Sequence, residues 1–216
     1  MANKLPPLKR GTKVAIVCEG DEETGYIYRL KELNVFSRNF AIKPINAGGI
    51  DKVFSVYHDT YSKDAYDIVL IFCDTDDEPY EKFKKLLENL KRQYGIKTDE
   101  DLFKIVYFGN PCTMQIVLSH KAQLKLQSRL KSHNANHIKK YFGVDEYRAT
   151  EKQQEKINNS LTADNYRVMK ENIDLLGSSW SQKASTNFAE LLCHLEDGEP
   201  SAIKKWASSV RKVYNV

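Results

Sequence analysis

Carboxylates gather at two places where an apolar run stops. In VAIVCEGDEETGYIY, residues 14–28, the run Val14–Cys18 passes straight into Glu19 and Gly20, then Asp21, Glu22 and Glu23. In IVLIFCDTDDE, residues 68–78, the run Ile68–Cys73 passes into Asp74, Asp76, Asp77 and Glu78. Carboxylates brought close together hold one another protonated unless a cation neutralises them. Hard oxygen ligands of this kind suit Mg²⁺ or Mn²⁺, which bind through a few carboxylates together with a substrate's phosphates. Glu19, Asp74 and Asp76 are the residues expected to do this, with Glu23 or Asp77 as a further or outer ligand. Gly20 would let a backbone or a phosphate come close. A plainer reading stays open beside it. Asp, Glu and Gly are ordinary turn and cap residues, and three acids at a helix start interact favourably with its dipole.

The elements that would position these residues alternate. Lys13–Cys18 reads as a strand, Glu22–Leu33 as a helix, and Phe40–Ile45 as a strand with alternating polarity. Asp51–Tyr61 is helical after the pair Gly48-Gly49, which is either a plain turn or a phosphate contact through its N–H groups. Ile68–Cys73 is apolar throughout, as a strand buried on both faces must be. Glu81–Tyr94 is a helix closed by Gly95, and Phe103–Phe108 a further strand. Such alternation implies β-α-β units and a mainly parallel sheet of about four strands, with sites at the carboxyl ends of strands. If the first and third strands are neighbours, Glu19, Asp74 and Asp76 converge. After Asn110-Pro111, with Pro111 suited to a helix's first turn, helical patterns dominate. Phe188, Leu191, Leu192 and Leu195 fall on one helix face. Ser185-Thr186-Asn187 with Glu190 reads as a capping box first and as a phosphate contact second. The organisation expected is an α/β core over residues 1–112 and a helical extension over 113–216 packed on it.

The bulk numbers narrow the partners. The chain has 216 residues, net charge +4 and 41% hydrophobic residues, enough for a real core. Residues 1–110 hold 17 basic and 18 acidic side chains, and residues 111–216 hold 16 and 11. Between Leu102 and Tyr147 the only acids are Asp145 and Glu146, while Lys121, Lys125, Arg129 and Lys131 cluster there. A polyanion is a fitting partner for that stretch, and a solvated helix face is the alternative. His120 beside Lys121 is placed with this basic group, as a phosphate contact or a structural residue. His133 and His137 share a helix face but are too few for zinc. Cys18, Cys73, Cys112 and Cys193 form no C-x-x-C pair and read as reduced core thiols. No apolar run approaches the roughly 18 residues of a membrane span, and MANKLPPLKR lacks a signal peptide's apolar stretch, so the expectation is a cytoplasmic protein. Neither G-x-G-x-x-G nor G-x-x-x-x-G-K-[ST] occurs, which argues against dinucleotide and P-loop sites.

Taken in order, IVCEGDEETGYIY, Gly48-Gly49, IFCDTDDE, NPCTMQIVLSH and STNFAELLCHL resemble the Toprim domain of topoisomerases, primases and OLD-type nucleases, and most closely its RloB-like branch. The resemblance covers most of the chain. It implies a Toprim-like, Rossmann-like sheet and Mg²⁺- or Mn²⁺-dependent phosphodiester chemistry. It further implies nuclease action on DNA or RNA and a role in bacterial anti-phage or restriction-linked defence, with room for a defence-system partner protein and for a homodimer. By motif match Glu19 is similar to the first conserved acid, Asp74 and Asp76 to the Asp-x-Asp pair, and Glu23 to the second acid of the OLD-type pattern. Asn110, Pro111, Cys112 and His120 match the Asn-Pro-Cys…His segment. The chain departs from the pattern in having Glu23-Thr24 for Thr-Glu, and Thr113 and Met114 where relatives carry an aromatic and Glu. Two other functions compete: a catalytically silent Toprim nucleic-acid-binding protein, and a receiver-like module with Asp74 as phosphoacceptor. Against the receiver, the fourth strand ends in Gly109-Asn110 without a Lys-Pro pair.

Overall fold

A computed structural model describes residues 11–214; the opening segment MANKLPPLKR lies outside the described residues. The order is β1 (Thr12–Cys18), α1 (Asp21–Glu32), β2 (Phe40–Asn46), α2 (Ile50–Ser62), β3 (Ile68–Asp74), α3 (Glu81–Tyr94), α4 (Asp99–Leu102) and β4 (Val106–Asn110). There follow α5 (Met114–Ser119), α6 (Lys131–Phe142), α7 (Glu151–Asn159), α8 (Ala163–Asp174), β5 (Ser185–Thr186), α9 (Phe188–Glu196) and α10 (Pro200–Arg211). The strands form one sheet in the order β2-β1-β3-β4-β5, parallel except that β5 runs antiparallel to β4. The fold is thus α/β with a mostly parallel, Rossmann-like sheet, one strand wider than the sequence suggests. Right-handed crossovers in this order put α1 on one face and α2 and α3 on the other.

Packing explains the strand types. β1 and β3 sit inside the sheet, and Val14–Cys18 and Ile68–Cys73 are buried throughout. β2 is an edge strand with alternating burial, and it tolerates Pro44 because an edge can forgo a ladder donor. The second half of the chain closes over this sheet. Phe188, Leu191, Leu192 and Leu195 of α9 are fully buried, and the Phe188 ring packs 4.7 Å from Phe72 and 5.7 Å from Tyr26. Trp206 of α10 meets Phe40 edge-on at 5.8 Å. One apolar cluster draws on both halves of the chain.

Several local expectations are corrected. β4 begins at Val106, because Thr98 caps the short α4 and residues 103–105 form a turn. Pro111 does not open a helix; α5 starts three residues later, at Met114. No capping box forms at Ser185-Thr186-Asn187. The Asn187 side chain instead bonds the Phe108 N–H and the Val106 carbonyl, both at 2.9 Å, and all three residues are buried. They extend the sheet edge and are closed to any phosphate. Cys18, Cys73 and Cys112 are buried thiols, but Cys193 is exposed on α9. Among the described residues no helix is long and apolar enough to cross a membrane.

Candidate functional site

Because β1 and β3 pair in register, their carboxyl ends finish side by side. The Glu19 N–H reaches the Phe72 carbonyl at 3.1 Å, and the Asp74 N–H donates to Glu19 Oε2 at 3.1 Å. Asp74 Oδ1 accepts both the N–H and the hydroxyl of Thr113, at 2.7 and 2.9 Å. That contact depends on Gly109: a Cβ there would lie 2.9 Å from the backbone of Cys112 and Thr113, so any side chain would push the turn off β4. Asp76 takes a left-handed φ of +66°, a region that Asp tolerates better than most residues. Its N–H bonds the Pro111 carbonyl, and its Oδ1 meets Arg129 Nη1 at 2.6 Å.

These groups line a cavity of about 360 Å³. Its acidic lining is Glu19, Glu22, Asp74 and Asp76, and Arg129 and Lys131 line it beside Asp76 and Glu22. Met114, Leu130, Ile138 and Tyr147 supply an apolar remainder. Burial pushes the Glu19 carboxyl up to about 8, aided by the charge of Glu23 and opposed by the Asp74 N–H. Glu23 rises to about 7 through burial and the neighbouring Glu22. Asp74 is held well above the usual carboxylate range by burial and then by Glu23 and Glu19. Three carboxyls therefore resist ionising together. Among the described residues no group of three or more His, Cys, Asp or Glu side chains is gathered as a ready metal cage. Part of the physical reason is visible: Arg129 already occupies Asp76, while Glu22 accepts from the Tyr147 hydroxyl.

The sequence-expected residues divide sharply. Glu19, Asp74 and Asp76 converge. Glu23 belongs to the same charge cluster but is only 3% exposed, and its Oε2 accepts the Gly20 N–H at 2.8 Å. It acts as a helix cap and leaves the cavity wall to Glu22, which sequence reasoning passed over. Asp77 faces the loop before α6, taking the Ser128 hydroxyl at 2.8 Å and the Arg129 N–H at 3.3 Å. Gly20 is in extended backbone at φ −149° and serves as the N–H that Glu23 caps. Asn110 is fully buried and gives its Nδ2 to the carbonyls of Trp180 and Gln182, so it supports the sheet edge.

The basic group is also split. His120 is a correction: it is 1% exposed, bonded through Nε2 to the Tyr26 hydroxyl and through Nδ1 to Asn165, both at 2.9 Å. Burial pushes its pKa down to about 4, so it is a neutral core histidine that cannot meet a nucleic acid. Lys121 is likewise engaged, on the Ser160 carbonyl at 3.0 Å. Lys125 and Arg129 are exposed, and so is Lys131, 3.6 Å from Glu22. His133 and His137 are exposed on α6. Gly48 and Gly49 hold positive φ, and their N–H groups are already taken, by Asn46 Oδ1 and the Glu19 carbonyl, so the pair is a turn and offers no phosphate contact.

Comparison with protein-family models, with curated proteins and with solved structures gave no match to this chain. The chemistry must therefore be read from the geometry. A larger cavity, of about 740 Å³, opens at the amino-terminal end of the strands beside α10. Its charged residues, Lys13, Asp64, Asp67, Lys204 and Arg211, mix both signs. Size favours that cavity, but the smaller one gathers carboxyls displaced from their ordinary range by burial and by one another, and such groups cluster at functional sites.

Proposed function

We propose that this chain is a Mg²⁺- or Mn²⁺-dependent phosphodiesterase with a Toprim-like site of the RloB-like type, acting on DNA or RNA. One observation carries the reading: Glu19 and Asp74 end adjacent parallel strands, are joined by the Asp74 N–H, and are both driven toward the protonated form by burial and then by crowding. A cation relieves that crowding, and the donor set, all carboxylate oxygens, fits a hard divalent ion. Glu19, Asp74 and Asp76 would hold it, with Glu22 on the same wall. When bound, such an ion lowers the pKa of a water and stabilises charge building on a phosphate.

The chain's own residues do the rest. Thr113 fixes the rotamer of Asp74 through two hydrogen bonds. Arg129 and Lys131 on the rim, with Lys125 beside them in the sequence, offer phosphate contacts. Met114 and Ile138 are buried and give part of the cavity an apolar lining, beside which charge interactions are stronger than in open water. Met114 stands where the RloB-like pattern carries Glu, and Glu22 is the further carboxylate on that wall.

The test is digestion of plasmid, linear DNA and structured RNA with Mn²⁺, wild type against Asp74→Ala. Cleavage by the wild type alone supports the proposal. Equal cleavage by both proteins overturns the site assignment. Met114 and the Arg129–Asp76 pair favour a second reading, a silent nucleic-acid-binding protein. Binding without cleavage by the wild type would establish that reading.

A further inference from the structure

Residues 121–130 have no regular secondary structure and meet the acidic strand end at Ser128 and Arg129, yet they are firmly tied. The buried side chain of Gln115 gives Nε2 to the Leu124 carbonyl at 2.8 Å and accepts the Leu126 N–H at 2.7 Å. Ser128 Oγ and the Arg129 N–H lie on Asp77, and the Ser128 carbonyl accepts from Asn134 at 2.9 Å. The outcome of these bonds is that a guanidinium is delivered to Asp76 Oδ1 at 2.6 Å. The Arg129 side chain is half exposed, 51%, while Asp76 beneath it is 17% exposed. Lys131 repeats the arrangement more loosely on Glu22.

We infer that Arg129 is a resident counter-ion that keeps the divalent-cation position closed until a polyanion draws it away. The inference rests on the proposed metal centre and names its regulation. The backbone of the loop is anchored independently of the guanidinium, so the side chain can leave Asp76 while the loop stays. A phosphodiester offers it the same forked geometry as a carboxylate. The phosphate then takes Arg129, Asp76 becomes available to the ion, and positive charge is never removed from the cavity. Linkage makes the effect reciprocal: a polyanion raises metal affinity by the factor by which the metal raises polyanion affinity.

Mn²⁺ is titrated calorimetrically into wild type, Arg129→Gln, Arg129→Lys and Asp74→Ala. Each is measured alone and with a phosphorothioate oligonucleotide, after subtraction of the heat of Mn²⁺ on the oligonucleotide. Thermal melts confirm folding, and Arg129→Lys covers the case in which the Gln variant does not fold. Without oligonucleotide, Arg129→Gln should bind Mn²⁺ about 5- to 100-fold more tightly than wild type, with Arg129→Lys between them. The oligonucleotide should tighten Mn²⁺ binding to wild type and have a smaller effect on Arg129→Gln. If both Arg129 variants match wild type while Asp74→Ala loses binding, the counter-ion role is refuted and the metal centre stands. If no protein, Arg129→Gln included, binds Mn²⁺, both fall together.

Discussion

At the amino-terminal end of the sheet, Lys13 and Asp67 exchange bonds reciprocally: the Lys13 N–H reaches Asp67 Oδ2 and the Asp67 N–H reaches the Lys13 carbonyl, at 2.8 and 2.9 Å. At the carboxyl end the backbone donors of Gly20, Asp74 and Thr113 all turn onto carboxylates, and the acids still outnumber the cations that face them. The two ends belong to the same strands and share the same core. The first end has the larger cavity and a mixture of charges; the second has the smaller cavity, a left-handed Asp76 and carboxyls displaced from their ordinary range. Volume follows how α10 lies against the strand starts. Chemistry follows which residues the strand ends deliver, and here they deliver like charge into a place that disfavours it.

The largest effect should come from breaking the carboxyl end. Asp74→Ala should lower Mn²⁺-dependent cleavage more than about 100-fold, since even outer partners of metal ligands cost 10- to 100-fold. Asp67→Ala at the other end should leave the rate within about twofold. Comparing initial rates of the two variants in one assay checks both statements.

Stability responds next. Glu19 and Glu23 bind protons in the folded state up to about pH 8 and about pH 7, but release them near 4.5 when unfolded. The folded state therefore holds more protons between those values, and stability without metal falls as pH rises from about 5 to 8. Glu19→Gln should flatten that fall and raise metal-free stability at pH 8 by the order of 1–3 kcal/mol. Denaturant melts at pH 5 and 8 in the presence of a chelator measure it; a variant that tracks wild type at both would remove the electrostatic argument.

Smaller effects sharpen the contrast further. Thr113→Val removes the hydroxyl bond to Asp74 and should cost about 1 kcal/mol while slowing cleavage, read as Tm and rate together. Lys125→Ala should weaken nucleic-acid binding a few-fold and lower the slope of log affinity against log salt by about 1. Lys204→Ala beside the larger cavity should change neither, as fluorescence anisotropy at several salt concentrations would show.

What the sequence disclosed had local causes. Two unbroken apolar runs fit strands buried on both faces, and the convergence of Glu19 and Asp74 was legible on the condition that those strands are neighbours, which the β1–β3 pairing meets. The third acid followed from Asp-x-Asp. What stayed hidden needed distance or phase. Whether Glu22 or Glu23 faces the cavity depends on how the Gly20 cap sets the start of α1. Arg129 lies 53 residues from Asp76 in sequence and reaches it only because Gln115 and Asp77 hold the intervening loop. A two-residue β5 carries no period to read, and His120 looks surface-basic beside Lys121 until α1 and α8 close over it.

The central claim, that the carboxyl end is a divalent metal centre, is tested most directly by anomalous diffraction from crystals soaked in Mn²⁺ with a phosphorothioate oligonucleotide. The account predicts a manganese peak with Glu19, Asp74 and Asp76 oxygens at about 2.0–2.3 Å, and Arg129 turned away from Asp76 onto a phosphate. An oligonucleotide seated at the cavity with no peak there, and Arg129 still on Asp76, would contradict it.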